Sequence, residues 1–450
     1  MSLKDKIFEA GIVGCGGAGF PTHVKMSGSS VDYLILNGAE CEPLLHTDRY
    51  MMLNCSDEIV WAADAVRREI GAARCVIAIK EHYRAQKRAL EKSIETLGAQ
   101  IEIFEFPESF YPAGDEQVMV YEVTGRTVPP AGIPLDVGCV VSNVSTMYCI
   151  YNAIHDKPFT HKVLTVTGRV REPLVIKVPL GTPFEDCLKL AGGALDEDYF
   201  VLNGGPMMGR PMTKAQALQS SVTKTTSGFI VLPSGCAHEL SAQMPVEHTL
   251  NRARHACIQC SYCTLMCPRN LIGHPLEPHK IMRKMSLCRP IDEMLDDPDI
   301  QAAALCCECG ICEIYACPMG LQPRKVNTLI KAELARAGIR YEKGKGLVEA
   351  NAFREDRKAP TGRVAIRSGV GEFMNIEIDD FKECEDAEKV YLPLKQHIGA
   401  PCVPKVSVGD RVVAGQKIAE CPENALGTNL HASISGEVVK TDGEIVIERR

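Results

Sequence analysis

Two cysteine runs near the middle of the chain carry the residues whose type and spacing most clearly point to chemistry. The first run contains Cys257, Cys260, Cys263 and Cys267, and a proline follows the last thiol. The second run contains Cys306, Cys309, Cys312 and Cys317, again with a proline after the last thiol. Three thiols on a tight loop can wrap one face of an iron–sulfur cubane, whereas the fourth ligand must come from elsewhere. In chains with two such runs, the fourth cysteine of each run binds the other cluster.

The spacing therefore predicts two [4Fe–4S] clusters with crossed ligands. We assign cluster one to Cys257, Cys260, Cys263 and Cys317. We assign cluster two to Cys306, Cys309, Cys312 and Cys267. The second run has one more residue before its last cysteine than the first, so we expect a bulge there. Cys307 breaks the regular step and is left out of the ligand set, although the bulge could recruit it in place of Cys306.

Zinc is the alternative occupant of these cysteines. Zinc sites usually use paired C-x2-C knuckles, and three consecutive steps followed by Cys-Pro do not suit them. A zinc-bearing structural protein would be colourless, whereas an iron–sulfur protein absorbs visible light. The cysteine pattern therefore favours iron–sulfur clusters.

Length and composition limit the class of protein. A chain of 450 residues is too long for one core and is expected to form several domains. The net charge of −7 argues against nucleic acid and anionic membrane surfaces as partners. The chain has twenty-one cysteines, and the two runs among them have the spacing of cluster ligands. This cysteine usage predicts a reducing compartment. Neither a signal peptide nor an apolar stretch of about 18–20 residues is present, which predicts a cytoplasmic protein without a membrane span.

A glycine-rich loop near the N-terminus is the second candidate site. It contains Gly14, Gly16, Gly17 and Gly19, then Phe20, and Lys25 follows. Glycines let backbone N–H groups approach a phosphate without interference from Cβ atoms, and a lysine adds a compact positive charge. A strand predicted over 31–36 follows and leads into Asn37, Glu40 and Glu42. Polar residues at the carboxyl end of a strand are where open α/β sheets bind ligands.

This combination resembles the flavin-binding subunit of respiratory complex I and the C subunit of the Rnf complex. The resemblance implies that FMN and NADH bind here, at Gly14, Gly16, Gly17, Gly19, Phe20, Lys25, Asn37, Glu40 and Glu42. It also implies an acidic loop beside the flavin, formed by Gly114, Asp115 and Glu116, and a further cofactor residue, Asn143. A helix N-terminus that favours carboxylates is the alternative explanation of that acidic loop.

The predicted fold class is a multidomain α/β protein. Residues 1–158 are predicted to form a Rossmann-like FMN/NADH-binding domain, and residues 159–240 a β-grasp domain of the SLBB type. Residues 245–337 are predicted to form a two-[4Fe–4S] domain of the bacterial ferredoxin type. Residues 355–450 resemble the all-β barrel-sandwich hybrid of biotinyl and lipoyl domains, without a lysine in the hairpin that would carry a swinging arm.

The whole domain order resembles one family, the cobalamin (corrinoid) reductases of propanediol-utilisation microcompartments, which are kin to the Rnf C subunit. The resemblance implies an NADH-dependent oxidoreductase that passes electrons through FMN and two clusters to a corrinoid. It implies a corrinoid adenosyltransferase and microcompartment shell or enzyme proteins as partners, a location inside a microcompartment, and a possible homo-oligomer. The alternative is an electron-relay subunit of a larger complex, without its own substrate site.

Overall fold

The computed structural model describes residues 1–26, 31–344, 349–378 and 380–449. The first module contains a four-stranded parallel sheet in the order β3-β2-β1-β5. Its elements are α1 (Leu3–Glu9), α2 (Thr22–Lys25), β1 (Tyr33–Asn37), α3 (Thr47–Asn54), α4 (Ser56–Glu69), β2 (Arg74–Lys80), α5 (Arg84–Leu97), β3 (Glu102–Phe106), β4 (Phe110–Tyr111), α6 (Glu116–Thr124), β5 (Cys139–Asn143) and α7 (Val144–Ile154). The apolar run of β2 is buried on both faces, as expected of a parallel strand covered by helices.

The second module is a mixed sheet in the order β12-β7-β6-β10-β8-β9. Its elements are β6 (His161–Gly168), β7 (Leu174–Pro179), α8 (Phe184–Leu190), β8 (Tyr199–Asn203), β9 (Arg210–Thr213), α9 (Lys214–Leu218) and β10 (Gly228–Pro233). β6 and β7 pair as an antiparallel hairpin, which α8 and β8 follow. The edge strand β12 comes from a segment about two hundred residues further along the chain and pairs with β7 in parallel.

The third module carries the cysteine runs and is mainly helical. Its helices are α10 (Ala237–Gln243), α11 (Val246–Ala256), α12 (Tyr262–Leu265), α13 (Pro268–Leu271), α14 (Pro278–Met285), α15 (Pro298–Gln301) and α16 (Pro323–Arg336). The segment Ile311–Tyr315 forms a π-helical turn, which accommodates the extra residue expected before Cys317. The module has its own apolar core, to which α14 and α16 contribute Ile281, Met282 and Ile330.

The last module contains two small antiparallel sheets, β13-β19-β18-β15 and β14-β16-β17. Its strands are β13 (Lys389–Pro393), β14 (Val403–Pro404), β15 (Arg411–Val412), β16 (Lys417–Glu420), β17 (Leu430–His431), β18 (Gly436–Lys440) and β19 (Glu444–Glu448). The segment before it contains β11 (Ala359–Pro360), which pairs with β4, then α17 (Thr361–Arg367) and β12 (Phe381–Glu383), which belongs to the sheet of the second module. One continuous hydrophobic core joins this module to the first and second modules. Among the helices in the described ranges, none is long and apolar enough to cross a membrane.

Candidate flavin pocket and cysteine clusters

The candidate flavin pocket lies where the two neighbouring strands β1 and β5 end. Asn37 and Asn143, the last residues of these strands, are partners in the parallel register. The strand order reverses at this point, which is where open α/β sheets bind their ligands. The pocket is lined by Cys15, Gly16, Asn37, Glu40, Cys41, Glu42, Leu45, Thr47, Asp48, Gly114, Asn143, Ser145, Lys162 and Ser227.

Six of the predicted cofactor residues line this pocket and seven do not. The lining residues are Gly16, Asn37, Glu40, Glu42, Gly114 and Asn143. The predicted residues outside the lining are Gly14, Gly17, Gly19, Phe20, Lys25, Asp115 and Glu116. Lys25 and Glu116 form an ion pair with each other, and Asp115 caps α6 by accepting hydrogen bonds from two backbone N–H groups.

The glycines of the loop have different environments. A Cβ atom at Gly16 would lie 2.8 Å from Nδ2 of Asn143, so the backbone approaches that side chain closely. A Cβ atom at Gly17 would meet no atom within 4 Å, so this part of the loop faces open space. Gly19 has φ of +73° and is turned towards Thr225, whose Cγ2 would lie 2.6 Å from an added Cβ. The structure therefore gives Gly19 a packing role in addition to its predicted place in the cofactor loop.

Two buried carboxylic acids form one wall of the pocket with a hydrogen-bond network. The Glu40 carboxylate accepts hydrogen bonds from the backbone N–H groups of Asp48 (2.7 Å) and Arg49 (3.2 Å). The carboxylate of Asp48 accepts hydrogen bonds from Nδ2 of Asn143 (2.7 Å) and Oγ of Ser145 (2.6 Å). Burial, and then the neighbouring Asp48, raise the pKa of Glu40 to about 7. The network can therefore hold a proton beside the flavin pocket near neutral pH.

Glu42 connects the flavin pocket to the second module. Its carboxylate accepts hydrogen bonds from the backbone N–H groups of Met207 (2.9 Å) and Met208 (3.0 Å), in the β8–β9 turn. The hydroxyl oxygen of Tyr111 lies 3.3 Å from Oε1 of Glu42. Burial raises the pKa of Glu42 to about 7. The position of Glu42 is therefore fixed by two backbone donors of the second module, and the hydroxyl of Tyr111 lies beside it.

The four cysteines assigned to cluster one lie around a single cavity. Its lining includes Cys257, Cys260, Cys263 and Cys317. Burial, followed by the other three thiols, raises the pKa of Cys263 to about 12. The Sγ of Cys317 accepts a hydrogen bond from the backbone N–H of Leu321 at 3.3 Å. His279 also lines the cavity, but Nδ1 of its ring forms a hydrogen bond with the hydroxyl of Thr264 at 2.7 Å.

The cysteines assigned to cluster two are also neighbours, although they lie deeper. Cys267, Cys309 and Cys312 are buried and Cys306 is half-buried. Burial, then Cys306 and other charged neighbours including Cys267, raise the pKa of Cys312 well above the usual thiol range. The Sγ of Cys306 accepts a hydrogen bond from the backbone N–H of Glu308 at 3.3 Å. Among the described residues, no group of three or more His, Cys, Asp or Glu side chains is drawn together tightly enough to hold a single metal ion.

Cys307 is a fifth thiol in the deeper set. It lies against Cys309, and the hydrogen bond between these thiols is the main cause that lowers the pKa of Cys307 to about 7. The guanidinium of Arg269 is the nearest positive charge acting in the same direction. The choice of Cys306 over Cys307 as ligand thus stays a prediction.

The deeper cysteine set packs directly against the flavin module. Tyr111, Met207 and Cys309 belong to one hydrophobic cluster, and Cys41 of the flavin pocket packs against it. The hydroxyl of Tyr111 also donates a hydrogen bond to the carbonyl oxygen of Cys309 at 2.9 Å. The flavin pocket and the cluster-two loop therefore share a wall.

A buried ion pair makes a second connection at the same interface. Nη2 of Arg269, two residues after the predicted cluster ligand Cys267, lies 2.7 Å from Oδ2 of Asp115. The two side chains are 11% and 12% exposed. Asp115 immediately follows Gly114 of the flavin pocket. The ion pair therefore connects the segment after Cys267 to the segment beside the flavin pocket.

Some pocket residues were not predicted from the sequence. Lys162 and Ser227 reach the pocket from the second module, and Nζ of Lys162 donates to the carbonyl oxygen of Cys15 at 3.4 Å. Asp48 and Ser145 come from α3 and α7 of the first module. Asp48 and Ser145 follow the predicted site residues Glu42 and Asn143 closely in the sequence, whereas no local pattern marks Lys162 or Ser227.

Four family models match separate parts of the chain. The Nuo51 FMN-binding domain matches residues 7–152, and the SLBB domain matches residues 163–211. The 4Fe-4S dicluster domain matches residues 256–322, and the RnfC barrel sandwich hybrid domain matches residues 377–448. Each match lies inside one of the four predicted ranges and confirms the predicted fold class. The exact domain limits remain our proposal.

Three curated relatives are similar over most of the chain or over a large part of it. Cobalamin reductase PduS of Salmonella typhimurium is 40% identical over 97% of this chain and 94% of its own length. Cobalamin reductase PduS of Citrobacter freundii is 38% identical over 100% of this chain and 97% of its own. The C subunit of the proton-translocating ferredoxin:NAD(+) oxidoreductase complex of Clostridium ljungdahlii is 34% identical over 60% of this chain and 57% of its own.

The fold and the two kinds of site define a flavin- and iron–sulfur-dependent oxidoreductase. Within that class, the chain belongs to the cobalamin reductase PduS family. The predicted resemblance to that family and to the Rnf C subunit is therefore confirmed.

The residues present fit both kinds of cofactor. The pocket at the ends of β1 and β5 offers backbone at Gly16 and amide side chains at Asn37 and Asn143, and the loop beyond it is open at Gly17. The gathered thiols, whose pKa values burial raises at Cys263 and Cys312, have the donor type that iron binds as thiolate. Backbone N–H groups that donate to two of these sulfurs are the kind of contact that tunes an iron–sulfur cluster.

Proposed function

We propose that the protein is an NADH-dependent cobalamin reductase that passes electrons from FMN through two [4Fe–4S] clusters to a corrinoid. The observation that carries the proposal is the wall shared by the flavin pocket and the cluster-two loop, formed by Cys41, Tyr111 and Cys309. FMN, when bound, would accept two electrons from NADH as hydride and release them one at a time. The names of the full-length relatives support a corrinoid as the acceptor.

The chain's own residues would bind and orient the flavin. We infer that the backbone of the glycine loop at Gly16 and Gly17 receives the phosphate, where an added side chain would intrude. Asn37 and Asn143 present amide groups at the strand ends, and the Asn37 side chain is itself held by the carbonyl oxygen of Gly114 at 2.9 Å. Glu40, with its raised pKa, would retain a proton beside the flavin around neutral pH.

Burial supports an order for the two clusters. Cys309 is buried against Tyr111 of the flavin module and Cys312 is also buried, whereas Cys260 is exposed. Cys263 is among the charged neighbours that raise the pKa of Cys312, so the two sets adjoin each other. We therefore infer that electrons reach cluster two first and leave through cluster one.

A separate cavity beside the flavin pocket supports NADH as the donor. It has a volume of about 1040 Å³, and its lining includes Glu40 and Glu42 together with Arg49, Lys80 and His82. Burial, then Lys80 and Arg49, lower the pKa of His82, because the three groups would carry like charges. Arg49, which lies 3.6 Å from Glu40, and Lys80 are the two cations of this lining that the pyrophosphate of a dinucleotide would contact. We propose that NADH enters through this cavity.

The partners and location remain part of the proposal. The family resemblance supports a corrinoid adenosyltransferase as receiver of the reduced corrinoid, a place inside a bacterial microcompartment, and a possible homo-oligomer. Co-purification from cells that assemble the microcompartment would test the location.

The enzymatic proposal is tested with protein purified without oxygen. We expect stoichiometric FMN, about eight iron atoms per chain if both clusters are [4Fe–4S], and NADH-driven conversion of hydroxocobalamin to cob(II)alamin followed by visible absorbance. Free FMN at the same concentration serves as the control. The Rnf-type relative supports the alternative, an electron-relay subunit. A protein that holds both cofactors but cannot reduce any dye with NADH would favour that alternative.

A further inference from the structure

A groove next to both cysteine sets is not used by the flavin or by the proposed NADH site. It runs between the β8–β9 turn, α10 and the beginning of α16, and its volume is about 710 Å³. That volume lies within the range of small-molecule sites, about 300–1,000 Å³. Its apolar side is formed by Met207, Leu240, Met244, Ile314 and Leu321.

The groove touches residues that adjoin both candidate clusters. Leu321 lines the groove and also lines the cavity of cluster one, and its backbone N–H donates to Sγ of Cys317 at 3.3 Å. Met207 belongs to the hydrophobic cluster that contains Cys309. A molecule in this groove would therefore be separated from each cluster by a single layer of side chains.

The groove carries a surplus of positive charge. Arg324, Lys325 and Arg367 line it, and Glu313 is the one carboxylate in its described lining. Glu313 is already occupied, because Nη2 of Arg324 lies 3.1 Å from its Oε1 and the backbone N–H of Lys325 donates to its Oε2 at 3.2 Å. Arg367 is exposed and, within the described part of the chain, has no ion pair with a carboxylate. The groove thus combines an apolar wall with cations that can receive an anionic group.

We propose that this groove binds the corrinoid acceptor directly from solution, an inference that rests on the proposed function. A cobalamin has a broad macrocycle with apolar faces and one phosphodiester anion in its nucleotide loop. The macrocycle would lie against Leu240, Met244 and Ile314, and the phosphodiester would lie near Arg367 and Lys325. The charge complementarity and the contact with both cluster segments support this occupant.

The electron balance of the reaction at this groove is simple. NADH and two cob(III)alamin give NAD⁺, one proton and two cob(II)alamin. Each cobalt gains one electron, which suits delivery by clusters that pass single electrons.

Direct binding is tested by anaerobic equilibrium dialysis of the protein with its cofactors, with bound cobalt measured by mass spectrometry. The two probes are hydroxocobalamin and diaquacobinamide, which lacks the nucleotide loop and its phosphodiester. We expect Arg367→Gln to weaken hydroxocobalamin binding roughly tenfold and to leave cobinamide binding within about twofold, as loss of one charge-assisted contact implies. Leu240→Glu, at a side chain that is 60% exposed, should weaken binding of both probes.

Arg363→Gln is the matched control, because Arg363 is exposed on the same helix, α17, and does not line the groove. Both groove substitutions are at exposed side chains, and their FMN and iron contents should equal those of the unaltered protein. Equal loss of both probes in Arg367→Gln would overturn the placement of the phosphodiester. Unchanged binding in Leu240→Glu would overturn the groove itself.

The outcomes also separate this inference from the proposed function. If the protein reduces hydroxocobalamin with NADH but binds neither probe in dialysis, the acceptor docks elsewhere or arrives on a carrier protein, and the groove assignment is wrong. If NADH reduces the flavin and clusters but no corrinoid is reduced, the proposed function fails. Binding with the expected pattern but without reduction would support the groove and contradict only the catalytic proposal.

Discussion

The buried ion pair between Arg269 and Asp115 should hold the cysteine module against the flavin module. Its two side chains are only about one-tenth exposed and lie 2.7 Å apart. Replacing Arg269 by Met leaves the Asp115 carboxylate buried without its cation, which costs about 3–5 kcal/mol for a buried pair. Because some exposure remains, we expect a loss near the lower end, about 3 kcal/mol. Asp115→Asn removes the charge but keeps an oxygen that can cap α6.

Urea unfolding followed by the visible absorbance of the iron–sulfur clusters measures this effect. The slope for a chain of this size exceeds the value of about 1–3 kcal/mol/M that small proteins show, so a loss of about 3 kcal/mol lowers the midpoint by up to about 1 M. The Arg269→Met/Asp115→Asn double variant should be more stable than the sum of the single losses, by about 1–3 kcal/mol. The surface pair Lys440–Glu444 is the control, and Lys440→Met should change the midpoint little. Strictly additive losses for Arg269 and Asp115 would refute the argument.

Three further predictions concern single residues. Cys306→Ala should abolish the electron paramagnetic resonance signal of cluster two while Cys307→Ala keeps it, because Cys306 preserves the two-residue step to Cys309; the opposite pattern would exchange their roles. Gly17→Val should lose FMN and keep iron, since it fills open space in front of the loop, and stoichiometric FMN in that variant would contradict the loop assignment. Burial raises the pKa of Glu42 from 4.5 to about 7, so its protonated form stabilises the fold at low pH and that contribution disappears as pH rises through 7. Thermal denaturation at pH 6 and pH 8 should therefore show a smaller decline for Glu42→Gln than for the unaltered protein, and equal declines would exclude this carboxyl as the cause.

The candidate clusters could be predicted from the sequence because most of their predicted ligands lie close together along the chain. The repeated step from Cys257 to Cys263 forces three thiols onto one loop, and the structure places these thiols with Cys317 around one cavity. The ends of β1 and β5 at Asn37 and Asn143 could also be predicted, because a short apolar run ends in a polar residue at each of them. The family models confirm the fold class that these patterns indicated.

What the sequence did not reveal depends on contacts between distant segments. Lys162 reaches the flavin pocket from β6, and β12 joins the second module from beyond the cysteine runs. No local pattern marks the pairing of Arg269 with Asp115, which lie 154 positions apart. For Gly19 the motif indicated a cofactor residue, and the structure adds a second role. The close approach of Thr225 leaves no room for a Cβ atom at this position. Contacts of this kind become visible only in the three-dimensional structure, where the modules pack against one another.

The central claim is that electrons pass from the flavin through cluster two to the corrinoid. It is tested most directly by mixing NADH and hydroxocobalamin with anaerobic Cys309→Ala protein in a stopped-flow spectrophotometer. Cys309 is a predicted ligand of cluster two and lies at the wall shared with the flavin pocket. Its variant should therefore lose cluster two and keep FMN. We predict that NADH still bleaches the flavin absorbance while the protein-dependent formation of cob(II)alamin disappears. Formation of cob(II)alamin at the unaltered rate by protein that lacks cluster two would contradict the account.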